Sequence, residues 1–118
     1  MIDWRVATKN GDYQEKDWYF PSFLIQEYLL PLINVGFSYI DEFEETEFLL
    51  EDSKRIRGNI KYLLDCKYYN RKESISYDSF FNGLVLINTQ EIIDCLMNLD
   101  AAFDYAIKNT AKLVFYGD

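Results

Sequence analysis

The stretch that decides the predicted fold is YIDEFEETEFLLEDSKRIRGNIKYLLDC, residues Tyr39–Cys66. Seven carboxylates and no cation stand between positions 41 and 52. Four basic residues follow them: Lys54, Arg55, Arg57 and Lys61. Acidic residues are favourable at the N-terminus of a helix, where N–H groups are unpaired, and basic residues are favourable towards its C-terminus. The order of charge therefore predicts one helix that begins near Asp41 or at Thr46.

Apolar residues in the same stretch recur at helical spacing. At 100° per residue, six of them fall on one arc, while charged residues fall on the opposite arc. The six are Phe48, Leu49, Ile56, Ile60, Leu63 and Leu64. The predicted helix would bury the first arc and expose the second.

Two more helices are predicted on either side of this stretch. Pro21 suits a first helical turn, and a helix should run from about position 21 to 34, with Pro31 expected to kink it or to end its regular part. Thr89 is a candidate N-cap. After it, apolar residues at steps of three and four predict a long helix over about 90–109.

Short strands, turns and loops are predicted between the helices. Residues 4–8 suit a short edge strand, and the apolar residues 84–87 suit a short buried strand or an extended entry to the last helix. Residues 79–83 are expected to form a short helical turn, and residues 67–78 a surface loop. Residues 112–116 are open to two interpretations, a strand or an extended segment across the bundle.

The composition fits a single domain, residues 1–118. Of the 118 residues 49% are hydrophobic, so the chain can bury a core despite its net charge of −8. The predicted fold class is mainly α, a compact bundle of about four to five helices with room for one or two short strands. Phosphates of nucleic acids and anionic membranes would repel so acidic a chain, so we expect neither as a direct partner.

Several kinds of site are excluded by residue type. The chain has no histidine, and its only cysteines are Cys66 and Cys95, so a histidine-based triad, a histidine-bound metal and a structural zinc site are excluded. No cofactor and no bound metal are expected. The first 17 residues lack the apolar segment of a signal peptide, and no apolar run is long enough to span a membrane. We therefore expect a cytoplasmic protein.

One enzymatic hypothesis rests on two pairs of carboxylates. Glu44-x-x-Glu47 and Glu91-x-x-Asp94 would each place two acids on one face of a helix. They resemble the ExxE and ExxD pairs with which all-α nucleotide pyrophosphohydrolases of the MazG type hold magnesium, and the resemblance implies hydrolysis of a nucleoside triphosphate. Such spacings arise readily in a chain with 20 acidic residues, so we favour a function without catalysis.

The favoured interpretation treats the acidic run as a surface that binds a cationic protein. Negative charge steers the encounter, and aromatic rings hold the partner once water is excluded. The predicted partner-binding residues are Tyr39, Asp41, Glu42, Glu44, Glu45, Glu47, Glu51, Tyr68 and Tyr69. Two alternatives stay open: the run only caps and solvates a helix, or the chain is an acidic mimic of nucleic acid that inhibits a DNA-binding protein.

A family resemblance agrees with a binding function. It covers LLPLINVGFSYIDEFEETEFLLEDSKRIRGNIKYLLD (29–65) and GLVLINTQEIIDCLMNLDAAFDYAIKN (83–109). A short, acidic, histidine-free chain rich in Tyr and Phe with these segments is similar to the immunity proteins paired with bacterial contact-dependent growth inhibition toxins. The resemblance implies tight binding to a cognate toxin domain, often an RNase or DNase, usually by covering its active site. It assigns no individual contact residue.

Overall fold

The computed structural model describes residues 1–7, 18–34, 40, 44–48 and 50–117. In these residues three α-helices accompany six strands, which form two antiparallel sheets. The fold is therefore α+β, and the prediction of a mainly α bundle of four to five helices is wrong. None of the helices in this part of the chain is long and apolar enough to cross a membrane.

The elements alternate along the chain. The helices are α1 (Phe23–Ile33), α2 (Leu50–Asp65) and α3 (Thr89–Lys108), with a 3-10 helix at Tyr68–Arg71. The strands are β1 (Asp3–Ala7), β2 (Trp18–Tyr19), β3 (Glu45–Phe48), β4 (Ser74–Ser79), β5 (Gly83–Asn88) and β6 (Lys112–Tyr116).

The larger sheet has the order β2-β1-β6-β3, and its neighbouring strands are antiparallel. Trp4 lies opposite Phe115, and Phe48 lies opposite Leu113, so one face of the sheet carries large apolar side chains into the core. The Phe115 ring lies 5.5 Å from the Trp4 and Phe48 rings, centroid to centroid. Residues 112–116, for which a strand and an extended segment were both open, form a strand. Residues 4–8 were expected at an edge, but β1 lies between two strands.

The stretch that was predicted to be one helix divides into a strand and a helix. Glu45–Phe48 forms β3, in which Glu45 and Glu47 are exposed while Phe48 is buried. This alternation has the period of a strand, and the four residues pair with β6. Helix α2 begins only at Leu50 and carries Glu51 and Asp52 in its first turn, so the acidic start of a helix was correctly indicated but placed too early.

Helix α1 lies where a helix was predicted, but Pro31, expected to kink it or to end its regular part, does not end it. The Ser22 hydroxyl accepts the Ile25 N–H at 3.1 Å, which caps the helix. Pro31 is exposed, and the helix continues past it to Ile33 although Pro31 lacks the N–H that would bond to the carbonyl one turn earlier.

Helix α3 also agrees, except at its cap. The side-chain oxygen of Asn88, rather than that of Thr89, accepts the Glu91 N–H, at 3.2 Å. The Thr89 hydroxyl donates instead to the Lys72 carbonyl, and Thr89 is buried. Thr89 thus fixes the start of α3 against the segment before β4.

A partly buried cluster of ion pairs between side chains joins α2 to α3. Arg57 Nε lies 3.0 Å from Asp100 Oδ1, and Arg57 Nη1 lies 2.8 Å from Asp104 Oδ1. The hydrogen bond to Asp100, with the charge of both carboxylates, raises the pKa of Arg57 above its ordinary value. These contacts fix how the two helices cross over the sheet.

Strands β4 and β5 form a separate hairpin where a loop and a helical turn were expected. Ile75 lies opposite Ile87, and both are buried, so one face of the hairpin packs on the core. Gly83 closes the turn with φ of +67°, a conformation that side chains with a Cβ rarely adopt. Residues 84–87, expected as a short buried strand or an extended entry to the last helix, lie on β5, and Leu84 and Leu86 on its outer face are exposed rather than buried.

Candidate interaction surface

Of the predicted acidic residues that the structure describes, Glu45 and Glu47 lie on β3, Glu44 directly precedes it, and Glu51 lies in the first turn of α2. Glu44 and Glu45 are exposed, and no cation of the described residues forms an ion pair with either carboxylate. Glu47 and Glu51 each contact a lysine, at 3.6 and 3.7 Å. Among the described residues of β3 and the first turn of α2 with their flanks, Glu44 and Glu45 therefore carry charge without an ion-pair partner. Tyr39, Asp41 and Glu42 lie outside the described residues.

The predicted Tyr68 and Tyr69 lie beyond the C-terminal end of α2, whereas the acidic residues lie at its N-terminal end. This helix has 16 residues, so its ends are about 24 Å apart. Tyr69 is only 5% exposed, and its hydroxyl lies 2.8 Å from the Tyr28 hydroxyl. Burial raises the pKa of Tyr69. Tyr68 is half exposed, with the Lys72 ammonium 5.5 Å from its ring centroid. The structure thus separates both rings from the acidic strand, and it places Tyr69 in the core.

The two carboxylate pairs considered for magnesium differ in their structure. Glu44 precedes β3 and Glu47 lies on it, so this pair does not share a helix face. Glu91 and Asp94 do lie on one face of α3. Within the described ranges, no group of three acidic or cysteine side chains could hold a metal ion.

A different surface stands out at the tip of the β4–β5 hairpin. Four large apolar side chains there are between 70% and 86% exposed: Phe80, Phe81, Leu84 and Leu86. Phe23, at the start of α1, is also exposed, and it lines a cavity of about 330 Å³ together with Phe81. We call these five residues the hairpin patch. Contiguous apolar surface of this kind is rare on soluble domains unless it binds something.

The register of the hairpin explains why the patch faces water. Leu84 lies opposite Asp78, and Leu86 lies opposite Ser76, all four being exposed. Successive side chains of a strand point to opposite faces, so burying Ile75 and Ile87 leaves this second face outside. The hairpin therefore has an inner apolar face in the core and an outer face on which β5 is apolar and β4 is polar.

One carboxylate holds the tip of the hairpin on α1. Glu27 accepts the Phe80 N–H at 2.7 Å and the Ser79 hydroxyl at 2.8 Å. The bond from Phe80 is the main reason that the pKa of Glu27 lies below its ordinary value. The Ser79 hydroxyl in turn accepts the Asn82 N–H at 3.3 Å. The turn is thus fixed by charge-assisted bonds while its two phenyl rings stay in water.

Sequence reasoning missed the hairpin patch although a signal was present. Asn82-Gly83 stands between two runs with strand character, and a short loop with Gly between such runs is typical of a hairpin. Interpreting 79–83 as a helical turn hid this signal. Interpreting 84–87 as fully buried then hid the exposed leucines.

The chemistry of the hairpin patch suits binding rather than bond formation. Its side chains are hydrocarbon, and the nearby Glu27 carboxylate is already hydrogen-bonded to the turn. Exposed aromatic and aliphatic side chains on a fixed backbone stabilise a complex when a partner excludes water from them.

Comparison of the chain with protein-family models, with curated proteins and with solved structures found no match.

Proposed function

We propose that this chain is an immunity protein that binds a cognate toxin domain, a basic RNase or DNase, and neutralises it in the bacterial cytoplasm without itself catalysing a reaction. The observation that carries the proposal is the hairpin patch, in which large apolar side chains stay exposed on a turn held by Glu27. Aromatic anchors of this kind are typical centres of protein–protein interfaces.

The energetic scale shows what the patch can contribute. Full burial of a Phe or Leu side chain is worth roughly 1.5–3 kcal/mol, so the four most exposed side chains could supply about 6–12 kcal/mol. Association costs about 4–15 kcal/mol in lost motion. The patch alone therefore supports weak to moderate binding, and tight binding needs further contacts.

Charge supplies a second contribution and favours a basic partner. The net charge is −8, and Glu44 and Glu45 are exposed without an ion-pair partner in the described part of the chain. Such a field raises the association rate with a cationic protein by about 10-fold to 1,000-fold at low salt. It also makes two copies of this chain repel each other, which favours a different protein over a second copy as the occupant of the hairpin patch.

The test is binding to the basic C-terminal toxin domain that the proposal expects a neighbouring reading frame to encode. We expect a complex with the wild-type protein, measured by calorimetry, and inhibition of the toxin's nuclease activity. The double variant Phe80→Ser/Phe81→Ser should weaken the complex by roughly 100-fold, since it removes two aromatic anchors.

A matched control is Met97→Gln, which removes an apolar side chain that is exposed on α3 outside the patch. It should change affinity by less than about threefold. Equal affinity of the wild-type protein and the double phenylalanine variant would contradict the role of the hairpin patch. Absence of any complex with wild type would contradict the proposed function.

A further inference from the structure

A second concave site lies between β2 and α3. It is a cavity of about 360 Å³. The residues that line it are Trp18, Tyr19, Pro21, Glu91, Asp94, Cys95 and Asn98. We call it the acidic pocket. Pro21 borders this pocket and Phe23 belongs to the hairpin patch, so only Ser22 separates the two surfaces along the chain.

The acidic pocket carries negative charge that no described lysine or arginine pairs with. Glu91 and Asp94 are exposed, and they lie one turn apart on α3. No lysine or arginine of the described ranges forms an ion pair with either carboxylate, and Asp94 accepts only the amide of Gln90, at 2.8 Å. A ligand that enters between these two side chains meets two carboxylates from one wall.

The residues that β2 contributes to the pocket are aromatic. Tyr19 is 64% exposed, and Trp18 is partly buried with part of its ring against the core. The face of an aromatic ring attracts cations, most strongly when the ring is that of Trp or Tyr. A cation in the pocket would therefore contact ring faces as well as carboxylates.

The floor of the acidic pocket adds a polar atom without adding charge. Cys95 is 3% exposed, and its thiol has no hydrogen-bond partner among the described residues. Burial raises the pKa of Cys95 to about 12, so the thiol stays protonated and can offer a weak donor or acceptor to a ligand. The pocket is thus lined by a neutral thiol, two aromatic rings and two carboxylates.

We infer that the acidic pocket binds the guanidinium group of an arginine side chain from the partner protein. Guanidinium is planar, stacks on aromatic rings and donates two parallel hydrogen bonds to carboxylates, whereas the ammonium of lysine does not stack and is more strongly hydrated. The cavity is at the small end of ligand sites, which suits one side chain. The inference that an arginine of the partner protein supplies the guanidinium rests on the proposed function. The inference that the pocket binds guanidinium does not.

The first experiment titrates the protein with propylguanidinium and follows the indole N–H signals by NMR. The chain has two tryptophans, Trp18 in the pocket and Trp4 in the core, so Trp4 is an internal control. We expect a saturable shift of the Trp18 signal alone, with a dissociation constant on the order of 1 mM, since the ligand is small. Propylurea, which has nearly the same shape and no charge, should give no saturable shift.

The variant Glu91→Gln/Asp94→Asn should weaken propylguanidinium binding by about tenfold or more, since it removes both charges and keeps the shape. The matched control is Asp65→Asn/Glu73→Gln, which removes two exposed charges outside the pocket. Lack of a saturable Trp18 shift, or an equal shift in the pocket variant, would overturn the inference.

The second experiment measures the affinity of the pocket variant, Glu91→Gln/Asp94→Asn, for the toxin domain. The pocket variant should bind the toxin domain at least about tenfold more weakly than the Asp65→Asn/Glu73→Gln control. Equal binding would overturn the assignment of arginine from the partner. If wild type binds no toxin domain, the proposed function fails, while the propylguanidinium titration still decides the chemistry of the pocket.

Discussion

The Glu27 carboxylate on α1 accepts the backbone N–H of Phe80 at 2.7 Å, across 53 positions of sequence. This bond, with the one from Ser79, joins a helix to the tip of a hairpin that is otherwise exposed. Without it the two phenyl rings would sit on a free turn, and a partner would have to order the turn during binding. The contact therefore links the order of the turn to affinity.

Removal of the Glu27 charge should loosen the hairpin tip. In Glu27→Gln the acceptor for Phe80 is neutral and weaker, so the Phe80 and Asn82 amides should exchange with solvent faster by about fivefold or more. Hydrogen exchange followed by NMR measures this. The amide of Leu99 in the middle of α3 serves as the internal reference, and uniform acceleration of all amides would instead indicate global destabilisation.

The same bond predicts a dependence on pH. The pKa of Glu27 is lower in the folded protein than its ordinary value of 4.5, so its stabilising effect is present above pH 4.5 and is lost as the pH falls through the folded-state pKa. The Phe80 amide signal should therefore move, and its exchange protection should fall, in acid. Glu27→Gln should abolish this acid-dependent change at Phe80. A change that persists in the variant would mean that another group causes it.

The ion cluster between α2 and α3 should contribute to stability. Arg57→Ala leaves Asp100 without a cation at a partly buried site, while Asp104 keeps Lys108 at 3.0 Å, so the free energy of unfolding should fall by about 1–3 kcal/mol in urea denaturation. Lys54→Ala removes an exposed pair with Glu51 and should cost at most about 0.5 kcal/mol. Equal losses would mean that Arg57 acts only as an exposed ion pair.

Reversal of charge on β3 should slow association with the toxin domain. Glu44→Lys/Glu45→Lys/Glu47→Lys is expected to reduce the association rate by about 10-fold or more at low salt, because it inverts the field that attracts a basic partner. The difference should shrink in high salt, where screening is stronger. The measurement is stopped-flow kinetics at two ionic strengths. An unchanged association rate would mean that Glu44, Glu45 and Glu47 do not attract the partner.

The sequence was sufficient where local signals decide the structure. Helices α1 and α3 follow from periodicity and from Ser, Thr or Asn near their starts, although Pro31, expected to kink α1 or to end its regular part, lies inside that helix. Strand β3 could not be inferred in this way. Its residues are acidic and adjoin a true helix, and they become a strand because β6, more than 60 positions later, pairs with them.

The candidate site was less predictable than the fold. The acidic run alone predicted Glu44 and Glu45 as surface residues, and both are exposed. Exposure of Phe80 and Leu84 depends on which face of the hairpin packs on the core, and a shift of one residue in register would reverse it. Burial of Tyr69 depends on its contact with Tyr28, 41 positions away.

The position of β6 has a consequence for synthesis of the chain. Its residues pair with β1 on one side and β3 on the other, so Trp4 and Phe48 lack the neighbour Phe115 until the ribosome has released more than 100 further residues after β1. A nascent chain that stops before Lys112 should therefore be cleaved rapidly by protease, whereas one extended through Tyr116 should resist.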